Sequence, residues 1–113
     1  MNAALVEDRR LFERLSASFS LRFLDFATNK VGEGRVRDVS ANGVGFVSSE
    51  YLAPNTALGI WLEAPGQDEP FYTRGAVAWS ESIGSEQHRI GVRLERPQLM
   101  GIARILRLNQ DFA

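Results

Sequence analysis

Residues Gly34 to Phe46 read GRVRDVSANGVGF, two short alternating runs on either side of Asn42-Gly43. Val36 and its apolar partners face inward in the first run, and Val44 and Phe46 begin the return. Asn-Gly between two such runs is a strong hairpin signal, because both positions tolerate positive φ. Upstream, Ala17 to Phe26 (ASFSLRFLDF) alternates with Phe19, Leu21 and Phe23 on one side, which predicts a half-buried strand. Asn29 to Gly34 supplies the expected turn between that strand and the hairpin. Downstream, Leu52 to Thr56 reads as a connection. Leu58, Ile60 and Leu62 then alternate with Gly59, Trp61 and Glu63. Pro65 to Pro70 is a turn, and Phe71 to Ser80 and His88 to Leu94 are strands joined by the polar loop Glu81 to Gln87. Six short, closely spaced strands predict a mostly β fold, a sandwich or a closed barrel. Trp61 and the remaining Phe side chains are assigned to its core, and His88 to its surface.

The period changes at the end of the chain. Pro97 suits the first turn of a helix, and Leu99, Ile102, Ala103 and Leu106 follow at i, i+3, i+4 and i+7. Arg104 and Arg107 lie near its C-terminal end, where the helix dipole favours positive charge. This segment is expected to be an α-helix that plugs one end of the barrel.

With 113 residues, 44% of them hydrophobic and 24% charged, the chain suits one globular domain with one core. The absence of cysteine excludes thiolate zinc sites, iron–sulfur clusters and cysteine nucleophiles, and the single histidine excludes a His-rich metal site. No apolar run approaches the length of a membrane span, and the N-terminus, MNAALVEDRRLFERL, does not read as a signal peptide. A soluble cytoplasmic protein is expected. The formal net charge is −1, yet of 13 basic residues only Lys30 is lysine and the rest are arginine. Arginine presents a planar fork that binds two acceptors at once and stacks on flat rings.

Two stretches concentrate chemistry. Arg9-Arg10-Leu11-Phe12-Glu13-Arg14 places Arg10 and Arg14 four apart in a polar arm before the first strand. Asp38-Val39-Ser40-Ala41-Asn42-Gly43 lies at a strand end entering a hairpin. In order and separation these match RxxxR and (D/N)xSxxG, and the chain resembles the PilZ domain family, bacterial receptors for cyclic di-GMP. GRVRDVSANGVGF, the later RGAVAW and RIGVRL stretches and the closing amphipathic segment extend the resemblance from about Arg9 onward. It implies a six-stranded antiparallel β-barrel with a C-terminal α-helix and a flexible N-terminal arm. Residues 1–113 then form one domain, with the arm at 1–16, the barrel at 17–95 and the helix at 97–109.

The ligand's chemistry suits those residue types. Guanine shows acceptors O6 and N7 on one edge, which an arginine fork binds in parallel, and N1–H and N2–H donors on another, which suit a carboxylate. The resemblance implies that Arg10 and Arg14 hold guanine edges and phosphates and that Asp38 and Ser40 hold a guanine from the strand side. Gly43 serves the turn geometry. An arginine just before RxxxR, here Arg9, is associated in the family with an intercalated ligand dimer, which implies two molecules of cyclic di-GMP per chain. Trp79, at a strand end, matches an aromatic that packs on a guanine in some members, and base–aromatic stacking contributes about 1–3 kcal/mol.

Each residue also has a purely structural use. Arg10, Glu13 and Arg14 suit one solvated helical turn, and Asp38 and Ser40 can cap a hairpin backbone. The two motifs together favour the ligand. The function expected is a non-enzymatic receptor, with no cofactor and no metal, that orders its arm on binding and relays the signal to an effector protein. A PilZ-type adaptor that binds protein and no nucleotide is the alternative. A net charge of −1 argues against an RNA- or DNA-binding barrel. No paired-carboxylate or nucleophile–base pattern points to an enzyme.

Overall fold

The computed structural model describes residues 19–64, 66 and 68–96. They form six strands: β1 (Ser20–Asp25), β2 (Lys30–Val39), β3 (Gly43–Ser48), β4 (Ala57–Glu63), β5 (Phe71–Gly84) and β6 (Gln87–Leu94). Every pairing is antiparallel, and the order β1-β2-β3-β6-β5-β4 closes on itself because β1 pairs with both β2 and β4. Closure leaves no unpaired sheet edge. The arm at 1–16 and the helix at 97–109 lie outside the described residues. No helix among the described residues is long and apolar enough to cross a membrane.

Alternation explains the core. Phe19, Leu21 and Phe23 from β1 and the segment before it point inward, as do Leu58, Ile60 and Leu62 from β4 and Ile90, Val92 and Leu94 from β6, all buried. One layer is a ring of valines across four strands, Val39↔Val44↔Val92↔Val77. Next to it, Val36↔Phe46↔Ile90 forms a second layer, and the Phe46 ring meets Phe23 at 5.9 Å between centroids. The interior is filled by side chains, as a barrel of this size requires.

Three expectations need correction. The first turn is not at Asn29 to Gly34: Lys30 already belongs to β2, and the chain reverses just before it. Asn29 adopts φ 63°, its N–H donates to Asp25 C=O at 2.7 Å, and Asp25 Oδ1 accepts the Ala27 N–H. Gly32 is a strand residue opposite Phe23, whose ring occupies the space a Cβ would need. A similar misreading shortened the last hairpin, for β5 continues to Gly84 and the reversal is confined to the residues before Gln87, with Glu86 at φ 55°. Finally, Trp61 and Phe26 are not core residues. Trp61 is half-buried on the outer wall, 4.8 Å from the Tyr72 ring, and Phe26 is 40% exposed beneath the Arg74 guanidinium. Trp61 stands on the outward phase of β4, whose inward positions are taken by Leu58, Ile60 and Leu62, and Phe26 begins the turn just after β1.

Candidate functional site

The β2–β3 connection is built by Ser40. Its N–H donates to Gly43 C=O at 2.9 Å, and its Oγ accepts the Gly43 N–H at 3.1 Å. This closes the loop at a serine, in the manner of a side-chain turn cap. Neither Asn42 nor Gly43 takes positive φ, so the turn is not of the type expected from Asn-Gly. Gly43 is needed for a different reason. A Cβ there would stand 2.9 Å from the Val92 carbonyl oxygen, so the backbone of β6 itself demands glycine.

Strand register shifts once between β2 and β3 and twice between β5 and β6, at Val77/Trp79 and again at Ser82/Gly84. Between Val36 and Asp38 the pairing with β3 gains one residue, Arg37, and between Val77 and Trp79 the pairing with β6 gains Ala78. In a regular strand Val36 and Asp38 would share a face, as would Val77 and Trp79. The extra residue reverses the phase. Val36 and Val39 are both buried while Asp38 turns to the wall, and Val77 is buried while Trp79 is 44% exposed.

The two reoriented side chains stand in one row across the outer wall, Asp38↔Gly45↔Gly91↔Trp79. Three strand spacings separate its ends, roughly 14 Å along the curved surface. The glycines between them form the floor. A Cβ on Gly45 would stand 2.7 Å from Asp38 Oδ1, and one on Gly91 would overlap the Trp79 indole. Carboxylate and indole are thus folded down over the two glycines. The Arg89 guanidinium lies over the Trp79 ring at 5.9 Å, a cation–π contact.

Around this row opens a cleft of about 280 Å³ lined by Asp38, Ser40, Asn42, Gly43, Trp79 and Arg93, with Val44, Gly45, Ala78, Gly91 and Val92 completing it. Four residues singled out from the sequence (Asp38, Ser40, Gly43 and Trp79) therefore share one cleft. Arg9, Arg10 and Arg14 lie outside the described residues. Sequence reasoning missed Asn42 and Arg93 as lining residues. The signal for Arg93 was present: in RIGVRL the inward positions are Ile90, Val92 and Leu94, which leaves Arg89, Gly91 and Arg93 outward.

Chemically the cleft offers a carboxylate that accepts, a guanidinium that donates, an exposed indole and one hydroxyl already engaged with the backbone. Among the described residues no group of three or more His, Asp or Glu side chains could hold a metal ion. His88 lies away from the cleft, half-buried and edge-on to Tyr51 at 5.7 Å.

The family model for the PilZ domain matches residues 8–109. No curated protein matches the sequence. Among solved structures, the chain is similar to the Bacillus subtilis inhibitor of motility (MotI/DgrA), with TM-score 0.66 and 15% identity over 88% of this chain and 49% of that one. It is similar to Escherichia coli YcgR in complex with c-di-GMP, with TM-score 0.61 and 17% identity over 86% of this chain and 42% of that one. A separate structure of the YcgR PilZ domain with c-di-GMP gives TM-score 0.58 and 16% identity, covering 82% of each chain. At such identities the likeness is one of fold. The chain spans about half the length of the motility inhibitor.

Proposed function

The chain belongs to the PilZ domain family, and from that premise we propose that it is a receptor for cyclic di-GMP that binds the dinucleotide on the outer wall of the barrel. Asp38 accepts the N1–H and N2–H donors of a guanine, and Trp79 carries a base face. Ser40 and Gly43 hold the loop that sets the height of the rim. Arg9, Arg10 and Arg14 supply guanidinium forks from an N-terminal arm at 1–16, which orders on binding, and Arg9 stacks on or pairs with a second ligand molecule and offsets its charge. The observation that carries this reading is the meeting of Asp38, Ser40, Gly43 and Trp79 in one cleft. Two structures of similar fold, those of YcgR and of its PilZ domain, hold c-di-GMP.

The output is a protein–protein one in the cytoplasm. Ordering a segment costs conformational entropy that charge-assisted contacts offset, and the reshaped surface is then read by an effector. The domain does no chemistry on its ligand.

Calorimetric titration with cyclic di-GMP, using cyclic di-AMP and GTP as controls, tests the proposal. Binding selective for guanine is expected, with close to two ligands per chain. Adenine turns an N6 amino donor toward the arginine forks and should be rejected. A chain that takes up no cyclic di-GMP at high concentration is an adaptor acting through protein contacts alone.

A further inference from the structure

Arg93 lies in neither motif, yet it lines the same cleft. In register it stands between Gly43 on β3 and Ala76 on β5, neighbours with no side chain and a methyl group. Nothing on either side covers its guanidinium, and it is exposed. Among the described residues no carboxylate pairs with it, although the other wall of the barrel pairs Arg22 with Glu63 and Arg74 with Glu95. Its one acidic companion in the lining is Asp38, two strand spacings across and two residues along the strand direction, roughly 12 Å between backbones. That separation is of the order of the length of a nucleotide from its base edge to its phosphate.

A dianionic ligand entering a cleft that already holds a carboxylate needs a compensating cation, and the barrel itself carries one. We propose that Arg93 is a phosphate-binding residue of this receptor, fixed on β6 and independent of the N-terminal arm. It takes a phosphate of the same nucleotide whose guanine Asp38 reads. The inference rests on the cyclic di-GMP reading above and adds to it a contact that the two motifs do not contain. A rigid strand holds this cation in place before the ligand arrives, so it bears no ordering cost beyond that of its own side chain.

The substitutions Arg93→Gln and Arg93→Lys, made in the full chain and titrated with cyclic di-GMP by calorimetry at two salt concentrations, test the assignment. Arg93→Gln should weaken binding about tenfold or more, the usual effect of losing a hydrogen bond to a charged group. It should also flatten the salt dependence. Arg93→Lys should stay within about threefold of the parent, because a phosphate accepts a point charge whereas the O6/N7 edge of guanine requires the fork. Thermal unfolding of both variants should match the parent, since the side chain is exposed. Parent-like affinity in Arg93→Gln removes Arg93 from the site. Equal losses in both variants overturn the phosphate role in favour of a base edge. A parent chain that does not bind overturns the receptor reading, and this inference falls with it.

Discussion

The two walls of the barrel use the same parts to different ends. On the β1–β4–β5 side the strands pair in unbroken register, from Ser20↔Glu63 to Asp25↔Leu58 and from Ala57↔Ala76 to Leu62↔Phe71. The Tyr72 and Phe26 rings there cover a glycine, Gly59, and each has a protein partner: Tyr72 meets the Trp61 ring at a tilt, and Phe26 lies under Arg74. The charges are paired as well, Arg22 with Glu63 at 3.8 Å and Arg74 with Glu95 at 3.7 Å. On the β2–β3–β6–β5 side the register breaks three times, an indole and a carboxylate cover two glycines, and neither Asp38 nor Arg93 forms an ion pair among the described residues. A wall whose polar groups satisfy one another is finished as structure. A wall whose cation and anion are held apart on a glycine floor is prepared for something that completes it.

Exchanging residues between the walls probes that contrast. The largest effect should come from the finished wall: Trp61→Ala removes a half-buried ring and its contact with Tyr72 and should cost about 2–3 kcal/mol of stability by denaturant unfolding, with ligand affinity unchanged. Asp38→Ala should do the reverse. It should weaken cyclic di-GMP by about 2 kcal/mol in a calorimetric titration while the unfolding midpoint barely moves. If Asp38→Ala instead lowered the unfolding midpoint by several degrees while the folded chain bound with parent affinity, the two walls would have exchanged roles. Gly91→Ala should show both effects at a smaller scale, about 1 kcal/mol each, because the new methyl lifts the Trp79 indole from its seat; tryptophan emission would report the displacement. Arg22→Ala should be the smallest. Its pair with Glu63 is exposed and is worth less than about 0.5 kcal/mol, so neither unfolding nor titration should change measurably.

Much of this was legible in the chain before folding. The alternations of Phe19, Leu21 and Phe23 and of Leu58, Ile60 and Leu62 named the inward face of two strands, and all six residues are buried. Asp38, Ser40 and Gly43 were singled out by their match to the family's motif, and Trp79 by the family's strand-end aromatic. What misled was glycine. Gly32 and Gly34 suggested a turn, whereas each makes room for a ring in the middle of β2, Phe23 at Gly32 and Phe46 at Gly34. The bulges were equally hidden. Val36-Arg37-Asp38-Val39 contains an inward residue at both ends, a spacing that strict alternation cannot satisfy and that only the extra residue at Arg37 reconciles.

The distinction has a physical basis. Period and motif spacing depend on neighbours within a few residues, so the chain alone specified strands, inward faces and the stretch that carries Asp38, Ser40 and Gly43. The pairings of β3 with β6 and of β1 with β4 join segments far apart in sequence, and their register is set by closing the barrel around a filled interior. Only that closure aligned Asp38, Gly45, Gly91 and Trp79 in a single row, and only it carried Arg93 into the cleft beside Gly43.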